Sequence, residues 1–312
     1  MNNGEILLIY EAENCNPNGD PMAENRPRVD LKTMTNIVTD VRLKRFFRDM
    51  IISDYGEEWI YVSTVSGKHV TAEEKLMGLK IQTPEDVLRR MIDVRLFGAM
   101  IPWKRRRKDG GKEERGESIS FTGPVQFTYG FSFHRVALQA NGLTNLLSGA
   151  KEGFSTIGID WKVKYSLIGF YGTVSGRNAA RTMLGEEDLM VLDDVLWKAL
   201  MIQTKTRSKV GEAPCLYIRL RYNSRDVFLG DLRRYVRVRE KSEYISGPQD
   251  LEVDFSELAE LFRRNANVIE RAFVNVCDWM KPAVKPVLDS LGGKVEMLPH
   301  GVDVGQVLRR LL

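Results

Sequence analysis

Three groups of basic side chains have the chemistry to hold a phosphate backbone: Arg42, Lys44, Arg45 and Arg48; Lys104, Arg105, Arg106, Arg107 and Lys108; and Lys205, Arg207 and Lys209. Arginine offers paired N–H donors to phosphate oxygens, and lysine offers a point charge. The first group follows an Asn/Pro/Gly-rich stretch, residues 14–21, whose backbone N–H groups are further donors for an anion, as is the start of the next helix. Asn16, Asn18, Arg26 and Arg28 lie in that stretch and its continuation to Asp30, and complete the set of candidate binders. One such cluster, taken alone, is more often solvated surface. Three of them beside glycine-rich turns favour phosphate binding.

Other chemistries lack their residues. Cys15, Cys215 and Cys277 are as scattered as His69, His134 and His300, so neither a zinc site nor a disulfide framework is expected. The glycines around residues 172–176 and Gly292-Gly293-Lys294 lack the spacing of a phosphate-binding P-loop, and neither Gly-x-Ser-x-Gly nor His-Glu-x-x-His occurs. Asp20 and Asp30 are of a type that can hold a divalent metal beside RNA, but aspartates in a turn-rich loop more often support the turn. No catalytic residue, metal or cofactor is therefore expected.

The elements that must position these side chains follow from periodicity. Residues 5–12 form a short apolar run entering the Asn/Pro/Gly-rich loop, the pattern of a buried strand. Residues 36–52 turn helical, with Leu43, Phe46, Phe47 and Met50 on one face and Lys44, Arg45 and Arg48 as a basic stripe nearly opposite, Arg42 off to its side. Thr83-Pro84-Glu85-Asp86 starts a helix that Gly98 closes. Phe127, Tyr129, Phe131 and Phe133 alternate with smaller residues as a strand, their aromatic face expected in the core rather than stacking bases. A strand over residues 162–171, a helix over 187–202 and a strand over 216–222 follow, with a capped helix over 256–280 in the tail. The order matches the two split βαβ halves of a ferredoxin-like sheet, so the expected class is α+β. Residues 53–117 exceed a simple connection and read as an insertion.

Composition agrees with an ordinary globular chain: 312 residues, 43% hydrophobic, with 46 basic against 42 acidic side chains and a net charge of +4. That balance does not by itself imply nucleic acid, so the distribution of charge carries the argument. The amino terminus lacks the basic start and apolar stretch of a signal peptide, and nothing approaches the roughly 20 apolar residues of a membrane helix. A reducing cytoplasm and no membrane partner are expected.

Three blocks carry a resemblance: Glu13-Asn14-Cys15-Asn16-Pro17-Asn18-Gly19-Asp20-Pro21, Asn25-Arg26-Pro27-Arg28-Val29-Asp30 and Val38-Thr39-Asp40-Val41-Arg42-Leu43-Lys44-Arg45. Further matches are Asp93-Val94-Arg95-Leu96-Phe97-Gly98, Gly123-Pro124-Val125-Gln126-Phe127 and Thr206-Arg207-Ser208-Lys209-Val210-Gly211. Together they resemble the Cas-seven family, the backbone subunits of type I CRISPR interference complexes, nearest the I-B and I-C branch; Cys15 and Met22 depart from its commoner residues. The resemblance implies a modified ferredoxin-like (RRM-like) palm over residues 1–52 and 118–312, a finger insertion over 53–117 and a thumb loop over 203–214. It implies that many copies of the chain stack along one guide RNA (crRNA), beside other CRISPR effector subunits, and present it to target DNA. By the same resemblance Asn16, Asn18, Arg26, Arg28, Arg42, Lys44, Arg45, Arg48, Lys205, Arg207 and Lys209 are RNA-binding candidates, and residues 104–108 are candidates for target-DNA contact. Two other readings stay open: a metal-dependent ribonuclease of the related type III kind, using Asp20 or Asp30, and a free-standing single-stranded RNA binder.

Overall fold

The computed structural model describes residues 1–64, 68, 70–103, 117–145, 156–202 and 206–312. Strand β1 (Gly4–Cys15) lies at its centre, and the run Ile6-Leu7-Leu8-Ile9 is fully buried because both faces of the strand are covered. Successive strand side chains point to opposite faces. Ile6, Leu8 and Tyr10 therefore enter one core, and Leu7 and Ile9 another.

The other principal elements are strand β2 (Thr35–Val38), helix α1 (Asp40–Tyr55), short helices α2 (Pro84–Arg90) and α3 (Ile92–Phe97), and strands β3 (Gly98–Trp103), β4 (Glu117–Thr122), β5 (Val125–Phe127), β6 (Gly130–Arg135), β7 (Leu138–Asn145) and β8 (Thr156–Val174). Helix α4 (Glu186–Ile202), strand β9 (Glu212–Tyr222), helix α5 (Ser256–Arg264), strand β10 (Ile269–Val276), helix α6 (Lys281–Leu291) and strand β11 (Val295–Met297) complete the chain's main body. One large mixed sheet runs β11-β10-β9-β1-β8-β6-β2, with β5 and β7 also paired to β8. β10 and β11 pair in parallel, whereas β1 is antiparallel to both β8 and β9. Helices α1 and α4 cover one face through Phe46, Phe47, Leu192 and Leu196. Helices α5 and α6 cover the other through Leu258, Phe262, Val284 and Val287. The result is a mixed α/β layering around one sheet. Truncating a buried ring such as Phe46 to alanine costs about 3–5 kcal/mol.

Several boundaries differ from those expected. The first helix starts at Asp40, not residue 36, because Thr35–Val38 is a strand and Thr39 caps the helix, its hydroxyl accepting from Arg42 N at 3.3 Å. It runs to Tyr55, so the boundary expected at residue 52 falls inside it. The helix begun at Thr83 breaks at Met91, whose backbone is extended, giving α2 and α3. The tail helix ends at Arg264 and is followed by strand β10. There Asn265 turns its side-chain amide back to Leu261 O at 2.8 Å, and the β-branched Val274 and Val276 pair with β9.

The aromatic strand matches expectation only in part. Phe127 is buried and Phe133 packs half-buried against the second core, as expected, but Gly130, Ser132 and His134 face inward, whereas Tyr129 is 50% and Phe131 41% exposed. A Cβ on Gly130 would lie 2.5 Å from the Phe170 ring, which occupies the space on that side. His134, buried, accepts from Leu167 N at 3.0 Å and stacks on Tyr165.

A smaller apolar cluster, Leu76, Val87, Leu88, Met91, Val94 and Ile101, unites the short helix Ala72–Gly78, α2, α3 and the β3–β4 hairpin. Among the described residues no helix is long and apolar enough to cross a membrane.

Candidate nucleic-acid interface

The loop after β1 is held by its own asparagines. Asn16 is buried and donates to Asn25 O at 2.7 Å. Asn18 Oδ1 accepts from the backbone N and the hydroxyl of Thr39 at 2.8 and 3.0 Å, tying the loop to the start of α1. Asn14, Glu24 and Asn25 have positive φ, which asparagine tolerates better than most residues. Asp20 accepts from Met22 N and pairs with Arg28 at 3.2 Å, and Asp30 accepts from Lys32 N at 2.9 Å. Both carboxylates thus serve turns. Asn16 and Asn18, expected to face RNA, spend their side chains on building the loop.

The turn before β9 is docked on this loop. Lys209 Nζ donates to the carbonyls of Asn16 and Pro17, the latter at 2.7 Å, while Asn16 N donates to Ser208 O and Glu13 N to Gly211 O, each at 2.8 Å. Gly211 has φ +115°, and a Cβ there would sit 2.0 Å from Glu13 O. Behind the lysine lies buried Glu212, at 3.8 Å. Burial pushes the Glu212 carboxyl up and the Lys209 ammonium down, each opposed by the attraction of the other. Lys209 is therefore a clamp inside the fold, not a projecting contact.

Helix α1 distributes its cations unevenly. Arg45 is 58% exposed and pairs with Asp49. Lys44 is largely covered, pairing with Asp40 at 2.7 Å and lying over the Phe97 ring. Arg48 is buried, its guanidinium 2.9 Å from Asp93, which also accepts from Tyr61 N at 2.7 Å. The expected stripe of Lys44, Arg45 and Arg48 therefore does not exist as an exposed surface, because segment α3 covers that side of the helix. Arg42 lies over Phe46 at 4.1 Å and contributes its charge to the Glu212 and Lys209 cluster.

Other cations gather along β8 and the turn before β9. Arg26 stacks on the Trp161 ring at 4.3 Å, and Arg207, 60% exposed, approaches Asp160 at 3.6 Å. Lys162 also reaches Asp160, at 3.4 Å, and Lys164 donates to Asn14 Oδ1 at 3.2 Å. Of these cations Lys162 and Arg207 line an open groove of about 530 Å³, together with Glu11, Glu13, Asn14, Val210 and Gly211. Burial raises the Glu11 carboxyl, which accepts from Tyr165 Oη at 2.8 Å. Trp161, Lys162 and Lys164 were not among the sequence candidates. Their signal was the alternation Trp161-Lys162-Val163-Lys164 within the strand. Lys205 and residues 104–108 lie outside the described residues. Among the described residues no cluster of three or more His, Cys, Asp or Glu could hold a metal ion.

The sequence blocks that build this groove belong to a longer match: residues 2–256 fit the family described as CRISPR-associated protein Cas7. The chain belongs to that family. The CRISPR-associated protein Cas7 of Haloferax volcanii is 32% identical over 297 residues, covering 88% of this chain and 86% of its own length. A chain of a solved "CRISPR RNA-guided surveillance complex, pre-nicking" shares the fold, with a TM-score of 0.52 over 99% of this chain and 98% of that one at 13% identity.

Two of the blocks that mark this Cas7-family chain hold the fold together. In Asp93-Val94-Arg95-Leu96-Phe97-Gly98, Asp93 anchors Arg48, and Arg95, wholly buried, pairs with Asp188 at 2.9 Å and donates to Leu88 O at 2.8 Å. In Gly123-Pro124-Val125-Gln126-Phe127, Gly123 lets the chain pass against Phe97, since a Cβ would sit 2.0 Å from its carbonyl carbon. Gln126 then donates to Gly123 O at 2.9 Å.

Proposed function

We propose that this Cas7-family chain binds the backbone of a crRNA and, as one of many copies stacked along it, presents the guide to target DNA within a CRISPR effector complex. The observation that carries the reading is that Lys162 of β8 and Arg207 of the turn before β9 line one groove with Asn14 of the first loop, which Lys164 also reaches, while Arg26 stands over Trp161 of the same strand. Exposed arginine and lysine neutralise phosphates without reading bases, which suits a scaffold that must accept any guide sequence. Base pairing then supplies the specificity. Head-to-tail contacts that do not close give the open row this requires.

In the same reading the strand order β9-β1-β8-β6 with α1 and α4 is a ferredoxin-like palm. The small cluster around Leu88 and Met91 is the core of a finger insertion that begins after α1 ends at Tyr55 and runs to residue 117, and residues 203–214 are a thumb whose base Lys209 fixes. The basic residues 104–108 are assigned to target DNA. The chain works in the cytoplasm as a binding protein rather than an enzyme, a view supported by the use of Asp20 and Asp30 in turns.

Mixing the purified chain with single-stranded RNAs of increasing length, and measuring particle mass by light scattering, tests the scaffold. Mass should rise stepwise with RNA length. One copy on every length refutes the stacked row, and regular cleavage of complementary RNA that Asp20→Ala or Asp30→Ala abolishes refutes the binding-only role.

A further inference from the structure

Cys215 and Cys277, which play no part in the groove, face each other across two neighbouring strands. The antiparallel register of β9 and β10 pairs Leu216 with Val276, so the next positions outward are Cys215 and Cys277, joined by Cys277 N donating to Cys215 O at 2.9 Å. Directly opposed residues project to the same face, and both cysteines lie in or against the core beneath α5 and α6. The two thiols are near enough for each to shift the other's ionisation.

The two are unlike. Cys215 is fully buried and its S–H points to Ala213 O at 3.7 Å, and burial pushes its thiol well up. Cys277 is half-buried at the start of the turn leading into α6, where the Cys215 thiol and the amides of Met280 and Trp279 favour its thiolate and pull its thiol down. One sulfur is thus accessible and activated, and the other stands behind it.

We propose that Cys277 and Cys215 form a reversible thiol–disulfide couple that reacts with small-molecule disulfides of the glutathione class. The Cys277 thiolate bonds to one sulfur of the small disulfide, and the other leaves as a thiolate that takes up a proton. Cys215 then gives up its proton and displaces the second small thiol from Cys277. The protein dithiol is oxidised by two electrons, and one small disulfide becomes two thiols. Opposed strand residues hold their Cβ atoms about 4.5–5.5 Å apart, whereas a disulfide wants about 3.5–4.5 Å. The strands must be drawn together, so the bond is strained and readily reduced.

The full chain, equilibrated in glutathione buffers of graded ratio, alkylated and analysed by peptide mass spectrometry, tests this independently of any RNA binding. The expected result is a 215–277 linked peptide, two hydrogens lighter than the sum of its parts, that disappears on addition of excess reduced glutathione, with Cys15 unmodified. In folded Cys215→Ser, glutathione should remain trapped on Cys277. In Cys277→Ser, Cys215 should stay unreactive. A stable mixed disulfide on Cys277 of the unsubstituted chain, modification of Cys215 ahead of Cys277, or no reaction in the native chain would each overturn the couple.

Discussion

Salt dependence separates cations that touch RNA from cations that hold the fold. Each phosphate neutralised on a single strand contributes about 0.7 to the slope of log affinity against log salt. Lys162 and Arg207 line the groove, and Arg26 stands over Trp161 beside Lys162 in β8, so replacing all three with glutamine should lower the magnitude of the slope by about 2, three contacts at about 0.7 each. Arg48→Gln removes the same kind of charge from the same motif region but from a buried site paired to Asp93. It should leave the slope unchanged while costing about 3 kcal/mol of stability, the scale for breaking a buried pair. Asp93 would keep its bonds from Tyr61 N and Val62 N, which limits the loss. The assay is fluorescence anisotropy of a labelled single-stranded RNA across a series of potassium chloride concentrations, with urea denaturation of each variant alongside. An unchanged slope in the triple variant, or an equal fall in folded Arg48→Gln, would refute the assignment of contacts.

Three further outcomes follow from groups that hold the fold. Burial pushes the Glu212 carboxyl up to about 7, so the folded chain keeps that proton longer than the unfolded one; this contribution to stability is complete below the ordinary value of 4.5 and is lost as pH rises through 7. Glu212→Gln should therefore flatten the decline in unfolding free energy between these pH values, and an unaltered pH profile would count against the buried carboxyl. Arg95→Met alone should destabilise by about 3–5 kcal/mol in urea melts by stranding Asp188, whereas Arg95→Met with Asp188→Leu should recover most of the loss. Gly211→Ala forces a side chain into Glu13 O at a positive φ, and should weaken RNA binding in anisotropy titrations by loosening the turn that carries Arg207.

The sequence reveals the central strand and the two long helices because their signals are local. The run Ile6-Leu7-Leu8-Ile9 reads as buried, and Thr39 and Asp40 read as a cap once the preceding β-branched residues are counted as strand. The tail defeats the same reasoning: Leu258, Leu261, Phe262, Ile269 and Phe273 keep a helical spacing, yet the last two belong to a strand whose pairing with β9 is decided in three dimensions. The aromatic strand fails in part: Phe127 is buried as expected, but only the Phe170 ring explains why Gly130 faces inward and Phe131 outward.

Charge was the least legible feature, for a reason the ion pairs make plain. A basic residue on a helix looks the same in sequence whether water or a carboxylate receives it. Arg48 meets Asp93 across 45 positions and Arg95 meets Asp188 across 93. Because a buried charge needs a partner, each such pair fixes how two distant segments meet. Segment α3 is tied in this way to α1 through Asp93 and to α4 through Arg95. Lys209 plays the corresponding part for the first loop, bridging the Asn16 and Pro17 carbonyls to buried Glu212. A family motif rich in arginine and lysine is thus a mixture of two functions. Fold-holding cations are buried against carboxylates or carbonyls, while those free to meet phosphate stand beside partly solvated partners, as Arg26 does over Trp161. Burial, not position in the motif, separates the two.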